Sequence, residues 1–289
     1  MIMGTRGSKL ALIQSEYVKS CLSKITKEKI EIKIIKTTGD KVTNSQLYNM
    51  DTKGLFTKEL DKTLLDEDVD LVVHSLKDVS VELNDDLEII AIPKRESPND
   101  VFISKYDWNE LKSDDTIGTS SLRREAFCKY HEKDIKLRPL RGNIDTRIEK
   151  VMNNEITGTI MAEAGLKRLG LTRYIKNRFS IKDMTPSAGQ GALAIICRRD
   201  SIKKKSISKL NDFTTFQETL SEKAVLKELG VGCQWPLGSF ARANKDKLCL
   251  FTILLDKNGK ILKSVTLKGF LKDSKAIGRE AGRIIGEYI

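Results

Sequence analysis

Three groups of residues in this chain carry the makings of chemistry. One is a cysteine, Cys233, at the crown of the glycine-rich stretch Gly230-Val231-Gly232-Cys233-Gln234-Trp235-Pro236-Leu237-Gly238. Glycines open backbone shapes closed to other residues and let a bulky group approach the main chain. A thiol on such a loop is either presented for an adduct or is one more buried, inert cysteine. The second group is Ser75-Leu76-Lys77-Asp78, at the end of the strand-like run Val69 to His74. The third is a set of cations at turns and helix starts: Arg6, Lys53, Lys77, Arg123, Arg124, Arg141, Arg147 and Arg168. Guanidinium groups converging there match carboxylates or phosphates. The helix that begins after Thr119-Ser120-Ser121 adds free backbone amides and two hydroxyls, which also suit an anion. The plainer alternative is an ordinary cap followed by two solvated arginines. Asp78 is the sole acid the sequence puts among these cations. It is placed to steady a developing cation and to exchange a proton with an amine leaving group, or else to pair with a neighbouring lysine.

Composition narrows the partners. The chain has 289 residues and a formal net charge of +11, which predicts two or three domains and an anionic partner. No apolar run is long enough to span a membrane. The amino terminus enters a strand pattern at once, which predicts no signal peptide and a cytoplasmic location. The five cysteines are odd in number and lack CxxC spacing, so neither a metal site nor a disulfide framework is expected. His74 and His131 are the only histidines, and His74 lies inside a strand pattern, where a structural role is expected. No phosphate-binding GxxxxGK[ST] or GxGxxG motif is present.

The elements that must position these residues alternate. Met1 to Gly4 predicts a strand, and Ser8 caps a helix with an apolar face of Leu10, Ile13, Tyr17 and Cys21. Glu31 to Thr37 is a strand and Thr38-Gly39-Asp40 a turn; Lys53-Gly54-Leu55-Phe56 leads into a helix with Leu60, Leu64 and Leu65. Val69 to His74 and Leu87 to Ile92 read as continuous apolar strands of a parallel sheet covered on both faces. Pro93 to Pro98 is a linker into a second α/β pattern. There Ser120 or Ser121 caps the helix of Arg123-Arg124, Gly142 precedes another helix, and Ile156 to Met161 is a strand. Ser187-Ala188-Gly189-Gln190-Gly191 predicts a flexible crossing back, followed by the strand Ala192 to Cys197. Two crossings between two α/β lobes predict a hinge and a cleft. Beyond them, Thr215-x-x-Glu218 reads as a capping box, Phe216, Leu220, Ala224 and Leu229 as a helix face, Asn258-Gly259 as a hairpin turn, and Ala276 to Ile285 as a closing helix.

Taken in order and spacing, several segments carry a specific resemblance. They are Thr5-Arg6-Gly7-Ser8-Lys9-Leu10-Ala11-Leu12-Ile13-Gln14, Thr38-Gly39-Asp40, Lys53-Gly54-Leu55-Phe56-Thr57-Lys58-Glu59-Leu60, His74-Ser75-Leu76-Lys77-Asp78-Val79, Gly118-Thr119-Ser120-Ser121-Leu122-Arg123-Arg124, Leu140-Arg141-Gly142-Asn143, Ala164-Gly165-Leu166, Gly189-Gln190-Gly191-Ala192 and the Cys233 loop. The chain resembles the hydroxymethylbilane synthases, also called porphobilinogen deaminases. The resemblance implies two periplasmic-binding-protein-like doubly wound α/β domains with a double crossover hinge, plus a small carboxy-terminal α+β domain. Residues 1–94 with 191–212 would form the first, 95–190 the second and 213–289 the third.

It also implies one dipyrromethane cofactor per chain, held by a thioether to Cys233, on which four porphobilinogen molecules are deaminated and condensed before the linear tetrapyrrole is released. Asp78 matches the catalytic aspartate. Lys53, Ser75, Lys77, Asp78, Thr119, Ser120, Ser121, Arg123, Arg124, Arg141 and Gly142 match cofactor-binding positions. Arg6, Ser8, Gln14, Phe56, Arg147, Arg168 and Gln190 match substrate-binding ones. A monomer with no nucleic-acid or membrane partner is expected.

Asn49 to Thr52, Glu163 and Trp235 depart from the family pattern, Glu163 standing where a small or apolar residue is common. The rival readings are a catalytically silent two-lobed binding protein for an anionic small molecule, which needs neither Cys233 nor Asp78, and a nucleic-acid binder. The latter is disfavoured by an aromatic content of 6%.

Overall fold

A computed structural model describes residues 1–37, 57–131, 134–230 and 235–289. The turn Thr38-Gly39-Asp40, Lys53, Phe56 and Cys233 lie outside the described residues. The chain divides into two compact units, Met1–Glu96 with Ala192–Phe216, and Ser97–Gly191 with Gln217–Ile289.

The first unit opens with strands β1 (Ile2–Arg6), β2 (Glu31–Ile35), β3 (Leu71–Ser75) and β4 (Leu87–Ala91). The second opens with β5 (Asp100–Ser104), β6 (Thr116–Gly118), β7 (Lys136–Arg138), β8 (Gly158–Ala162) and β9 (Ile175–Arg178). The chain returns to the first unit as β10 (Leu193–Arg198) and adds β11 (Leu237–Asn244), β12 (Lys247–Leu255) and β13 (Ile261–Phe270) to the second.

Strand order gives the first two sheets one topology. The first runs β2-β1-β3-β10-β4 and the second β7-β6-β8-β5-β9. In each, the strand that arrives from a crossing sits fourth and runs antiparallel to both neighbours, while the strands before it pair in parallel. The expectation of a parallel β4 is therefore corrected, since its neighbour β10 runs the other way. A continuous apolar run reports burial on both faces but not strand direction.

Alternation along β3 sends Val72 to a core with Leu60, Leu64 and Ile196, and Leu71 and Val73 to a core with Met3, Val18 and Ile195. The third sheet, β11-β12-β13, is an antiparallel meander with a core of its own around Leu248, Leu250, Leu254 and Ile285. Its Asn258-Gly259 turn forms as expected: Asp256 N donates to Lys260 O at 2.8 Å and Gly259 takes a φ of +88°.

One helix presents a face other than the one its apolar spacing predicts, and a second is capped by another residue than expected. The helix Lys9–Thr26 buries Gln14, Ser15, Val18 and Leu22, leaving Tyr17 48% exposed. The stripe is turned by one residue because two polar side chains, Gln14 and Ser15, face inward. In the helix Phe213–Glu228 the cap is Asp212, whose Oδ1 accepts from Thr215 N at 2.8 Å, and not Thr215. Glu218 reaches away from the helix start and accepts from Ala243 N at 2.8 Å. Glu222, fully buried, accepts from Ala241 N at 2.9 Å and Gly189 N at 2.7 Å. The expected flexible crossing is thus a buried turn held to this carboxylate, with Gly189 and Gly191 at φ +77° and +90°.

Candidate functional site

In the first unit the chemistry gathers where β1 and β3 end. Ser8 caps the helix Lys9–Thr26, its Oγ accepting from Ala11 N at 3.3 Å. One turn on, buried Gln14 donates from Nε2 to Ser75 Oγ at 3.0 Å, tying that helix to the last residue of β3. A short 3-10 turn, Leu76–Asp78, follows at once. Leu76, its first residue, and Val79, just after it, are buried, and Leu76 N donates to Ala192 O at 3.0 Å. The turn is therefore pinned at both ends while Lys77 is half-buried and Asp78 exposed. Asp78 makes no ion pair among the described residues, so its lysine-partner alternative has no contact behind it. His74 is buried within β3. Burial, then the charge of Arg6, lowers its pKa to about 4, so the ring is neutral at pH 7, in keeping with a structural histidine.

In the second unit the residues after β6 are organised by backbone contacts. Thr119 Oγ1 accepts from Ser121 N at 3.2 Å. Ser120 Oγ exchanges hydrogen bonds with Leu140 N and O, both at 3.0 Å, and so fixes the segment that carries Arg141. Ser121 caps the helix Leu122–Tyr130.

The two arginines that open this helix are not solvated. Arg123 is 4% and Arg124 8% exposed, and both grip Asp100. Arg123 Nη2 lies 2.6 Å from Asp100 Oδ2, and Arg124 Nη2 lies 2.8 Å from Oδ1. Asp100 is completely buried. Burial alone would push its pKa up, but the two guanidiniums hold it at about 2. Gln190 Nε2 also donates to Asp100 Oδ1, at 3.1 Å, and to Pro98 O at 2.7 Å. Sequence reasoning missed Asp100. The signal was an ionisable residue opening the apolar run Val101-Phe102-Ile103, where a carboxylate needs a buried partner.

The remaining cations cluster. Arg147 Nε donates to Gly142 O at 2.9 Å, across a Gly142 whose φ of +112° favours glycine. Burial, then the charges of Arg124 and Arg141, pulls the Arg147 pKa down. Arg141 makes no ion pair among the described residues. An anion here would relax the repulsion that Arg124 and Arg141 exert on Arg147.

Arg168 Nη2 donates to Gly191 O at 2.8 Å. Glu163, buried, takes a short hydrogen bond from Ser97 Oγ and an ion pair with Arg178 at 2.5 Å. Trp235 packs against the core of the third sheet. Among the described residues no group of His, Cys, Asp and Glu is arranged to hold a metal, and no helix is long and apolar enough to cross a membrane.

Comparison with known proteins decides the family. A profile described as "Porphobilinogen deaminase, dipyromethane cofactor binding domain" matches residues 1–222, and one for the family's C-terminal domain matches residues 216–285. The chain belongs to the porphobilinogen deaminase family. A protein of Methanothermobacter thermautotrophicus named probable porphobilinogen deaminase is 54% identical over 289 residues, covering 100% of both chains. The porphobilinogen deaminase of Syntrophomonas wolfei is 41% identical over 97% of this chain and 93% of its own length. That of Helicobacter hepaticus is 43% identical over 88% and 80%. Among solved structures, the methionine-binding protein MetQ gives a TM-score of 0.45 at 12% identity, over 78% of this chain and 93% of that one.

Membership makes the chain a transferase of tetrapyrrole biosynthesis. Its cofactor is dipyrromethane and its substrate porphobilinogen.

Proposed function

We propose that the family's reaction, condensation of four porphobilinogen molecules into hydroxymethylbilane, is carried in this chain by Asp78 as the catalytic carboxylate and Cys233 as the cofactor anchor. When bound through a thioether, dipyrromethane supplies a nucleophilic pyrrole carbon and remains behind after the tetrapyrrole is hydrolysed off. The residues around it fit such a group. Two pyrrole rings bring four carboxylates, and Arg147 lies within the charge of both Arg124 and Arg141, the last with no ion pair among the described residues. That convergence of charge is the observation that carries the reading.

Lys53, Ser75, Lys77, Thr119, Ser120, Ser121, Arg123, Arg124, Arg141 and Gly142 hold the cofactor. Within this set Ser120 and Ser121 act by fixing Leu140 and the helix start, which supports Arg141 and Arg124 in turn. Arg123 turns its nitrogens to Asp100, Thr185 and Ser187, and its part is to brace its neighbour. Arg6, Ser8, Gln14, Phe56, Arg147, Arg168 and Gln190 serve the substrate. Gln14 does so through Ser75, and Gln190 through Asp100.

Asp78 acts when ammonia leaves porphobilinogen and positive charge develops on the pyrrole. A carboxylate held on a pinned turn beside the ring nitrogen stabilises that charge most in the transition state, with no reorganisation needed.

The chain works as a three-domain monomer: 1–94 with 191–212, 95–190, and 213–289. A core around Leu248, Leu250, Leu254 and Ile285 supports the third division, while Ile253 and Leu255 of the same sheet join the core around Phe102 and Phe127. A cytoplasmic location accords with Cys21, Cys128, Cys197 and Cys249 all being free thiols.

Intact mass of the purified protein, with peptide mapping, tests the reading. The expected result is one dipyrromethane per chain, on the peptide that contains Cys233, and none in Cys233→Ser. An adduct on another cysteine, or a fully active chain of unmodified mass, would sink it.

A further inference from the structure

Asp100 has figured so far only as a partner of Arg123, Arg124 and Gln190, and its surroundings bear on what Arg124 can do. It opens β5 opposite Ala162, the last residue of β8, and so sits where the parallel strands of the second sheet run out. Its two oxygens are fully engaged. Oδ2 takes Arg123 Nη2 at 2.6 Å; Oδ1 takes Arg124 Nη2 at 2.8 Å, Arg124 Nε at 3.2 Å and Gln190 Nε2 at 3.1 Å.

The two arginines use this carboxylate differently. Arg123 points inward on every side, with Nε on Ser187 Oγ at 3.1 Å and Nη1 on Thr185 O at 2.7 Å. Arg124 meets Asp100 edge-on through Nε and Nη2, which fixes the plane of its guanidinium. Its third nitrogen, Nη1, has no hydrogen bond among the described residues. The charge of this same side chain is felt at Arg147, together with that of Arg141.

A single carboxylate between two guanidiniums leaves one positive charge over, and Arg123 is wholly turned inward. Without Asp100 the second unit would hold one more unopposed positive charge beside Arg141 and Arg147. Nothing would then set the direction of Arg124.

We propose that Asp100 is a positioning residue for the cofactor: it locks Arg124 so that Nη1 faces a carboxylate of dipyrromethane alongside Arg141. The inference rests on the reading of these arginines as cofactor ligands. A structural ion pair would hold the sheet end together but would be indifferent to what Arg124 binds.

The test uses the full chain as parent, Asp100→Asn and Asp100→Glu, purified alike. Asn keeps the shape and removes the charge; Glu keeps the charge and displaces the fork by a methylene. Two quantities are read: the fraction of chains carrying dipyrromethane, by intact mass, and the melting temperature of the cofactor-free form, each chain carrying Cys233→Ser for that measurement. The expected result is a folded Asp100→Asn whose loaded fraction falls at least fivefold, with Asp100→Glu between it and the parent.

A merely structural role would lower the melting temperature and leave the surviving folded chains loaded as in the parent; that result overturns the proposal. If Asp100→Asn does not fold, Asp100→Glu decides by the same two readings. Should neither fold, Asp100 is a structural partner and the proposal fails. Arg124→Leu and Arg141→Leu separate the two levels. If both load fully, the reading of the cations is wrong. If both fail to load while folded Asp100→Asn loads normally, only the role of Asp100 is wrong.

Discussion

At the scale of single residues, exposed Asp78 and buried His74 lie four positions apart and invite opposite experiments. Asp78→Asn keeps the shape of the side chain and removes its charge, whereas Asp78→Glu moves the charge by a methylene. Both should carry the cofactor by mass. Single-turnover kinetics should show weak activity for Glu and a loss of about 100-fold or more for Asn, falling on the chemical step. Porphobilinogen turnover by Asp78→Asn near the parent rate would remove Asp78 from the mechanism.

His74 governs stability instead. Its folded pKa of about 4 lies below the ordinary 6.5, so between those values the unfolded chain binds a proton that the folded chain refuses. Stability from this residue is complete above about pH 6.5 and is lost as pH falls towards 4, by about 3 kcal/mol at most. Asp61, raised to about 6 by burial, works in the opposite sense over part of that range. Asp100, at about 2, enters only at lower pH. The measurement is therefore the difference between parent and His74→Gln in urea denaturation, at pH 7 and again near pH 4.5. The parent should lose more stability than the variant.

At the scale of elements, the start of β11 is packed against the support of the arginines. A Cβ on Gly238 would stand 2.6 Å from Thr185 Cβ and 2.7 Å from Thr185 O, the oxygen that holds Arg123 Nη1. Gly238→Ala must displace backbone, and should cost about 1–3 kcal/mol in urea denaturation and lower the loaded fraction. Gly286→Ala, which meets only the tip of Leu229 at 3.3 Å, should do neither.

This scale also separates what the chain discloses in its letters from what it withholds. Capping serines and the Asn258-Gly259 turn are local, set by a few adjacent residues, and Ser8, Ser121 and the hairpin stand where their chemistry predicts. The helix Lys9–Thr26 escaped because its buried side carries Gln14 and Ser15, and apolar spacing cannot detect a polar residue facing inward. Asp212 displaced Thr215 as a cap for a related reason: Glu218 is drawn off by the backbone of β11. At the site, the cations and Asp78 were legible as types at turns. The partnership of Arg123 and Arg124 with Asp100 joins residues more than twenty positions apart, a distance no local pattern reports.

At the scale of the whole molecule, a net charge of +11 acts on every approaching anion. Of the 51 Lys and Arg side chains some are paired locally, as where Lys203 meets Glu28 at 2.9 Å and Lys204 meets Glu88. The net excess should draw porphobilinogen in over distances that salt shortens. Raising potassium chloride from about 0.05 M to about 0.5 M should lower kcat/KM several-fold and leave kcat nearly constant. A salt-independent kcat/KM would mean that only short-range contacts matter.

The strand order has a different consequence, one that belongs to the birth of the protein. On a ribosome β4 emerges early, yet its neighbour β10 lies roughly a hundred residues downstream, about 5–20 s of translation later. Until then the nascent first unit presents a bare, apolar sheet margin to its surroundings. A chain released before Leu193 can never close it, so premature termination yields a fragment for chaperones and proteases and not a working half-enzyme.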